Sequence, residues 1–271
     1  MHPLVNVAIQ AARKGGNSLI RSSRRLNELN IEIKGRNDFV SDADRQAEAL
    51  IIDEIRKHYP DHAILAEESG AHAGGEVTWI IDPLDGTTNF LHDFPVYAVS
   101  IGVQVDGKLA HGVVYDPMRQ ELFTASRGDG AQVDGRRIRV SGRRNLQESL
   151  IGTGFPYRDK SNVLEHHLAM LRTVLEGTAG VRRAGAAALD LADVAAGRLD
   201  AFWEFGLQPW DLAAGALLVR EAGGIVSAVD GSEAFLETGH VLAGSPKIYA
   251  ALAQLFTRKH GAWLKELGAA S

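Results

Sequence analysis

The sequence contains no cysteine. Disulfides and thiolate metal sites are thereby excluded, and His, Asp and Glu remain as side-chain metal ligands. No apolar run approaches the length of a membrane span. The N-terminus lacks a basic stretch followed by an apolar one, so no secretory signal is expected and the cytoplasm is the default compartment. Positive charge is not in excess: 29 Lys and Arg stand against 34 Asp and Glu, a net charge of −5. That balance argues against a broad electrostatic grip on nucleic acid, though it leaves room for a local basic patch. An anionic substrate would need metal ions or a local cluster of cations to offset it. Familiar catalytic patterns are also missing. There is no His-Glu-x-x-His and no Gly-x-Ser-x-Gly. The run Gly102 to Lys108 imitates a nucleotide phosphate-binding loop, but Leu109 replaces the required hydroxyl residue and the context is a hairpin. Asp38, Asp42 and Asp44 imitate part of a calcium loop without its glycine.

What is present is an ordinary globular composition, 45% hydrophobic and 23% charged over 271 residues, enough for one large or two medium domains. Residues 4 to 26 carry apolar side chains at helical spacing, with Gly15 and Gly16 weakening the middle. A short strand over Leu29 to Ile33 leads into a polar loop from Lys34 to Asp38. Ser41 and Asp44 fit an acidic capping box for a helix that runs to His58. Ala63 to Ala66 reads as a strand delivering Glu67-Glu68-Ser69, and glycines 70, 74 and 75 predict a mobile loop after it. Tyr97 to Val105, an Asp106-Gly107 turn and Leu109 to Tyr115 form a hairpin. Glu121 to Ala125 and Arg137 to Val140 add strands, with a turn-rich segment between. The polar, basic stretch Ser141 to Glu148 marks a boundary. The chain therefore divides into an α+β unit, 1–145, and an α/β unit, 146–271, in which strands and helices alternate. In that second unit the pattern predicts a helix from about Asn162 to Leu175 and a last helix after Pro246.

One stretch organises the chemistry. Trp79-Ile80-Ile81 runs into Asp82-Pro83-Leu84-Asp85-Gly86-Thr87-Thr88. A buried strand thus ends in two carboxylates and a helix N-terminus. Oxygen ligands suit Mg²⁺, and free helix N–H groups suit phosphate. Glu67-Glu68, Gly185-Ala186-Ala187 and Trp210-Asp211 also end strands or begin helices. Asp211 fits two roles equally: cap of the helix at Leu212, or one more carboxylate beside Asp82 and Asp85. Several carboxylates around one phosphate require intervening cations, so two or more Mg²⁺ are expected. Thr87 is placed to hold a nucleophilic water, with Asp44 orienting or deprotonating that hydroxyl; the alternative for Asp44 is a helix cap alone. His166 and His167, adjacent on a helix, read as solvated. Arg182-Arg183 suits either an anionic substrate or a surface ion pair.

These motifs resemble the inositol monophosphatase family. Trp79 to Phe90 resembles its first signature. Trp210-Asp211-Leu212-Ala213-Ala214-Gly215, with Glu221-Ala222-Gly223-Gly224 beyond, resembles the second. Ala66-Glu67-Glu68-Ser69 matches a third motif except for alanine at its first position. The resemblance covers essentially the whole chain and implies a layered αβαβα sandwich of the sugar-phosphatase type, α+β in the first half and α/β in the second, with an antiparallel sheet followed by a mixed one. It implies a Mg²⁺-dependent, lithium-sensitive phosphomonoesterase, usually a homodimer, acting on a small phosphorylated polyol such as myo-inositol monophosphate. Carried over by position, Glu67, Asp82 and the Leu84 carbonyl hold one metal, and Asp82, Asp85 and Asp211 hold the second. Glu67 also serves a weaker third site through water. Asp44, Thr87 and Glu67 make up the catalytic set. On the substrate, Gly86 and Thr87 N–H groups hold the phosphate beside Leu84 and Asp85. Gly185, Ala187, Glu204 and Asp211 touch inositol hydroxyls, and Arg182 matches a substrate position of the bacterial members. The Lys34 loop departs from the animal pattern in spacing and is left out of the site. Bacterial members also act as partners of the RNA-polymerase-associated transcription antitermination machinery on ribosomal RNA operons, and the arginines from Arg136 to Arg144 are the hint of such a role here. Fructose 1,6-bisphosphate, histidinol phosphate or a nucleotide 3′-phosphate are alternative substrates within the same fold.

Overall fold

The computed structural model describes residues 2–35, 38–156 and 163–269. The chain opens with α1 (Pro3–Ser23), an antiparallel ribbon of β1 (Ile31–Gly35) and β2 (Asp38–Ser41), and α2 (Asp42–His58). Arg36 and Asn37 of the expected polar loop lie outside the described residues. The capping box forms as the sequence predicts: the Ser41 side chain accepts from Ala43 N–H, and Asp44 accepts from Ser41 N–H at 2.9 Å. Gly15 and Gly16 do more than weaken α1. A Cβ on Gly15 would stand 2.7 Å from Ile51 Cδ1, and one on Gly16 2.6 Å from the Tyr115 ring. The glycines let α1 lie close against α2 and the sheet beneath.

Next come β3 (Ala63–Ala66), β4 (Gly70–His72), β5 (Val77–Asp85), α3 (Thr87–Leu91), β6 (Ala98–Val105), β7 (Lys108–Asp116), β8 (Glu121–Ser126), β9 (Gly130–Val133) and β10 (Arg136–Arg137). They form an eight-stranded sheet in the order β10-β9-β8-β7-β6-β5-β3-β4. Its neighbours are antiparallel except for parallel β3 and β5. Two expectations change here. The segment after Glu68 is not a bare loop, because Gly70 to His72 pair with β3. The turn-rich segment holds β9, and the strand expected over Arg137 to Val140 shrinks to the two residues of β10. Glycine and short polar residues hide a two-residue period that the ladder itself supplies.

The second half runs β11 (Leu150–Thr153), α4 (Val163–Gly177), β12 (Gly180–Arg182), α5 (Ala187–Ala195), β13 (Ala201–Glu204), α6 (Pro209–Glu221), β14 (Ile225–Ser227), α7 (Phe235–Thr238), β15 (Val241–Gly244) and α8 (Pro246–Ala269). The predicted helix start at Asn162 lies outside the described residues. The sheet order is β12-β11-β13-β15-β14, with β11 parallel to both neighbours and β15 antiparallel to both of its own. β15 was not read from the sequence. Its four residues are all buried, so it lacks the polar alternation that advertises a strand.

Three buried clusters set the layers. α1 and α2 cover one face of the large sheet, joining Leu19, Ile51 and Ile55 to Trp79, Ile81 and Ile101. α5 and α6 lie between the two sheets, where Leu191, Leu212 and Leu217 meet Ile80, Val114 and Phe202. α4 and α8 cover the outer face of the small sheet, joining Met170, Ile248 and Phe256 to Ile151 and Trp203. The result is α, β, α, β, α, and the central helical layer brings the two halves together. Glycines allow that closeness: a Cβ on Gly102 would stand 2.6 Å from Ala213 Cβ, and one on Gly112 2.8 Å from the Ala214 carbonyl. Among the described residues, no helix is long and apolar enough to cross a membrane.

Candidate active site

The site is built at the end of β5. Residues three apart on a regular strand face opposite sides, so spacing alone would separate Asp82 from Asp85. The ladder to β6 shifts register between them: Asp82 pairs with Ser100, while Asp85 pairs with Ala98. The extra residue is a bulge at Pro83-Leu84, and it returns both carboxylates to one side. Leu84 N–H donates to Asp82 Oδ1 at 2.9 Å, which fixes the turn of the bulge. Gly86 follows at φ +94° as the N-cap of α3. A Cβ there would lie 2.9 Å from the Val96 carbonyl, so glycine is required by both conformation and space.

Asp211 comes from the other half. It is not the N-cap of α6 but its third residue, and its Oδ2 accepts from Gln208 N–H at 2.7 Å. Helix capping and a place in the site are therefore compatible. Ser100 makes the connection. Its buried hydroxyl donates to the Trp210 carbonyl at 3.1 Å, from the β6 position paired with Asp82. The α6 start is thus fastened to the β5 corner. One carboxylate oxygen from each of Asp82, Asp85 and Asp211 lies within 4.8 Å of the others. Asp85 also bridges the halves: its Oδ2 accepts from Ala188 N–H at 2.7 Å, at the first turn of α5.

On the α2 side, Thr87 Oγ1 lies 3.1 Å from Asp44 Oδ1 and 3.1 Å from the Leu84 carbonyl, and its single proton serves one acceptor at a time. Asp44 Oδ2 accepts from both Ser41 N–H and Ser41 Oγ. Burial raises the Asp44 carboxyl above its ordinary range, against these hydrogen bonds. Asp44 is therefore both cap and Thr87 partner.

A cavity of about 370 Å³ opens in front of this corner, lined by Glu67, Asp82, Leu84, Asp85, Gly86 and Thr87 on one side and by Gly185, Ala187, Glu204 and Asp211 on the other. Asp44 stands behind Thr87. Arg182 is not in the cavity: it is exposed on edge strand β12, where it donates to its neighbour Val181's carbonyl at 3.1 Å. Strand geometry sends the next residue to the other side, and Arg183 lines the cavity with its guanidinium 5.5 Å from the centre of the Phe155 ring.

Sequence reasoning missed several other groups. Asn89 Nδ2 donates to the Val96 carbonyl at 2.8 Å and the Ala184 carbonyl at 2.9 Å, tying α3 to the segment that carries Gly185. Asp190 is buried behind this wall. Burial first, then Glu204 and Asp85, push its carboxyl well above the usual range, while Arg183 acts against them. Asparagine after Gly-Thr-Thr was visible in the sequence, but its carbonyl partners are not.

The electrostatics of the corner are one-sided. Asp82 is buried, and burial followed by Glu67, Asp85 and Asp211 pushes its carboxyl well above the ordinary carboxylate range. So much like charge in a buried place calls for a cation. The donors are all oxygen, which fits a hard ion such as Mg²⁺ and not a thiophilic one. His166 and His167 supply no ligand here. His167 is not solvated as the sequence reading expects but fully buried, packed against Phe155, Trp203 and Phe205. Adjacent helix residues face different ways, so only His166 remains near the surface, stacked on Trp263.

The model of the inositol monophosphatase family matches residues 1–260. A Nus factor SuhB from Pseudomonas aeruginosa is 54% identical over 257 residues, covering 93% of this chain and 95% of that one. The crystal structure of extragenic suppressor protein suhB from Bartonella henselae superposes with a TM-score of 0.92 at 45% identity, over 95% of this chain and all of that one. An inositol monophosphatase from Anabaena (Nostoc) sp. PCC 7120 gives a TM-score of 0.84 at 40% identity, over 94% of this chain and 95% of that one.

Proposed function

The chain belongs to the inositol monophosphatase family, and from that premise we propose that it is a cytoplasmic, Mg²⁺-dependent phosphomonoesterase that hydrolyses myo-inositol monophosphate or a closely similar polyol phosphate. The observation that carries the reading is the approach of Asp82, Asp85 and Asp211 within 4.8 Å across the two halves. Glu67, Asp82, the Leu84 carbonyl, Asp85 and Asp211 would hold two Mg²⁺. When bound, the ions supply charge stabilisation for the phosphoryl group and make water more acidic.

The chain's own residues do the rest. Gly86 and Thr87 face the cavity at the start of α3 and receive the phosphate. Thr87 donates to Asp44, which leaves the lone pairs of Oγ1 to accept a proton from the attacking water. Burial makes the Asp44 carboxylate a stronger base than an ordinary one, so the proton passes through Thr87 to Asp44 as the water oxygen bonds to phosphorus. The P–O ester bond breaks as the new one forms, and the ester oxygen leaves toward the wall of Gly185, Ala187 and Glu204, taking a proton from solvent water to become the alcohol. A carboxylate there accepts hydrogen bonds from hydroxyls, which favours a polyol over an apolar alcohol.

Asp82→Asn should cut Mg²⁺-dependent phosphate release on the order of 10³-fold while circular dichroism stays native, because one shared metal ligand loses its charge. Near-normal turnover by that variant would refute the assignment. A phosphate-release panel over myo-inositol monophosphate, fructose 1,6-bisphosphate, histidinol phosphate and a nucleotide 3′-phosphate, with and without Li⁺, selects the ester. Homodimerisation is part of the same reading and is checked by light scattering.

A second reading is favoured by the relatives named Nus factor SuhB. In it the protein is a partner of RNA-polymerase-associated antitermination proteins. Arg136, Arg137, Arg139, Arg143 and Arg144 are exposed together beyond β9, although Arg143 pairs with Asp200. Affinity capture separates the two roles: an Asp82→Asn protein that still retains RNA-polymerase-associated antitermination proteins supports this reading, and retention of none of them by the native protein sinks it.

A further inference from the structure

Resting on the metal-dependent reading above, we propose that Glu48 is a positioning residue that fixes the turn carrying Glu67 into the metal site. Glu48 lies on α2, one helical turn after Asp44, on the same buried face. It is only 3% exposed. Its two oxygens are both occupied by the chain that follows β3: Oε2 accepts from Glu68 N–H at 2.8 Å, and Oε1 accepts from Ser69 N–H at 2.9 Å. The preceding N–H, that of Glu67 itself, donates to the Ile81 carbonyl at 3.1 Å. Three consecutive backbone donors are therefore held, two by Glu48 and one by the residue before Asp82. A carboxylate buried at this depth is retained only where it is fully satisfied, and charge-assisted bonds to backbone N–H groups are among the stronger ones.

Glu48 has no contact with the cavity. Its effect must pass through the backbone to the Glu67 side chain, which lines it. The same helix face also carries the Asp44 to Thr87 contact. α2 thus sets the spacing between the hydroxyl that orients the water and the carboxylate opposite it, from two acidic residues four apart. The turn needs two acceptors side by side. Glutamine offers one acceptor and presents an amide N–H₂ to the second donor, so it replaces only half of the arrangement.

The test is Mn²⁺ binding, followed by electron paramagnetic resonance, with Mn²⁺ as the all-oxygen stand-in for Mg²⁺. Outer groups that orient metal ligands are typically worth ~10- to 100-fold in affinity. Glu48→Ala should weaken Mn²⁺ binding by about that factor and raise the Mg²⁺ needed for half-maximal activity in parallel, with a smaller change in kcat at saturating metal. Glu48→Gln should fall between it and the native protein. Glu54→Gln is the control: Glu54 is buried on the same helix but paired with Lys14, away from the cavity. It should lower the melting temperature and leave Mn²⁺ affinity unchanged. Glu48→Ala binding Mn²⁺ as tightly as the native protein, or Glu54→Gln weakening it equally, overturns the proposal. If Glu48→Ala does not fold, an unchanged affinity in Glu48→Gln overturns it. Native protein that takes up no Mn²⁺ overturns the metal-dependent reading and this inference with it, a result distinct from the variant outcomes.

Discussion

The Ser100 hydroxyl touches nothing in the cavity, yet it joins the strand position beside Asp82 to the helix start beside Asp211. Ser100→Ala removes one buried hydrogen bond between the β6 and α6 elements, a loss of about 1 kcal/mol in stability. Its larger effect should be on metal use. Activity at limiting Mg²⁺ is expected to fall more than activity at saturating Mg²⁺, and a titration of rate against Mg²⁺ checks this. His167 gives a prediction of a different kind. It is fully buried, and among the described residues neither ring nitrogen has a hydrogen-bond partner. Burial lowers its pKa to about 4 from an ordinary 6.5. The folded protein therefore holds the neutral ring, while the unfolded chain binds a proton near pH 6.5. This contribution to stability is fully present above about pH 6.5 and is lost as the pH falls toward 4, with the unfolded state binding the extra proton. Between pH 7 and pH 5 the loss is on the order of 2 kcal/mol at most. Urea titrations at the two pH values should show a smaller pH effect in His167→Phe than in the native protein, and an equal effect would remove His167 from the account.

At the scale of elements, the strand-to-helix motif from Trp79 to Thr88 was legible because its residue types carry their own geometry: proline, glycine and two carboxylates in a short span. The bulge that turns both aspartates to one side was not legible, since it is a property of pairing with β6 and not of β5 alone. For the same reason Arg182 and Arg183 were indistinguishable until β12 took its place at the sheet edge. The α2 capping box was readable from Ser41 and Asp44, whose contact is local. The buried β15 and the ring packing around His167 depend on partners on other elements, far enough away in sequence that periodicity has no reach. Element contacts also make Gly112 more than a strand residue. It lies where α6 crosses β7, and an added Cβ would meet Ala214 backbone at 2.8 Å. Backbone cannot rotate away as a flexible side chain can. Gly112→Ala is therefore expected to cost about 1–3 kcal/mol in a denaturant titration and to displace the helix that carries Asp211. Gly107→Ala, at an exposed turn with nothing near its Cβ position, separates this effect from loss of glycine as such: its penalty arises only from a φ of +70°.

At the scale of the molecule, the two halves share a core. The central cluster joins Ile80, Val114 and Phe123 of the first half to Leu191, Phe202 and Leu217 of the second, so neither half can lose its partner without exposing apolar surface. The acidic corner works against that union. Asp82 and Asp85 from one half face Asp211 from the other, and their repulsion is strongest with all three ionised. On the proposed function, a cation held there would convert this repulsion into attraction and tie the same two halves that the core joins. Mg²⁺ should therefore stabilise the molecule as one unit, by about 2.7 kcal/mol at a free concentration a hundred times its dissociation constant. Calorimetry is expected to show a single transition, with calorimetric and van't Hoff enthalpies in agreement, moving to higher temperature as Mg²⁺ is added. In Asp211→Asn the transition should stay single because the shared core is intact, while most of the Mg²⁺-dependent shift disappears. Two separate transitions in the native protein would mean that the central helical layer does not couple the halves. A full Mg²⁺ shift in the variant would mean that the second half contributes no ligand to the site.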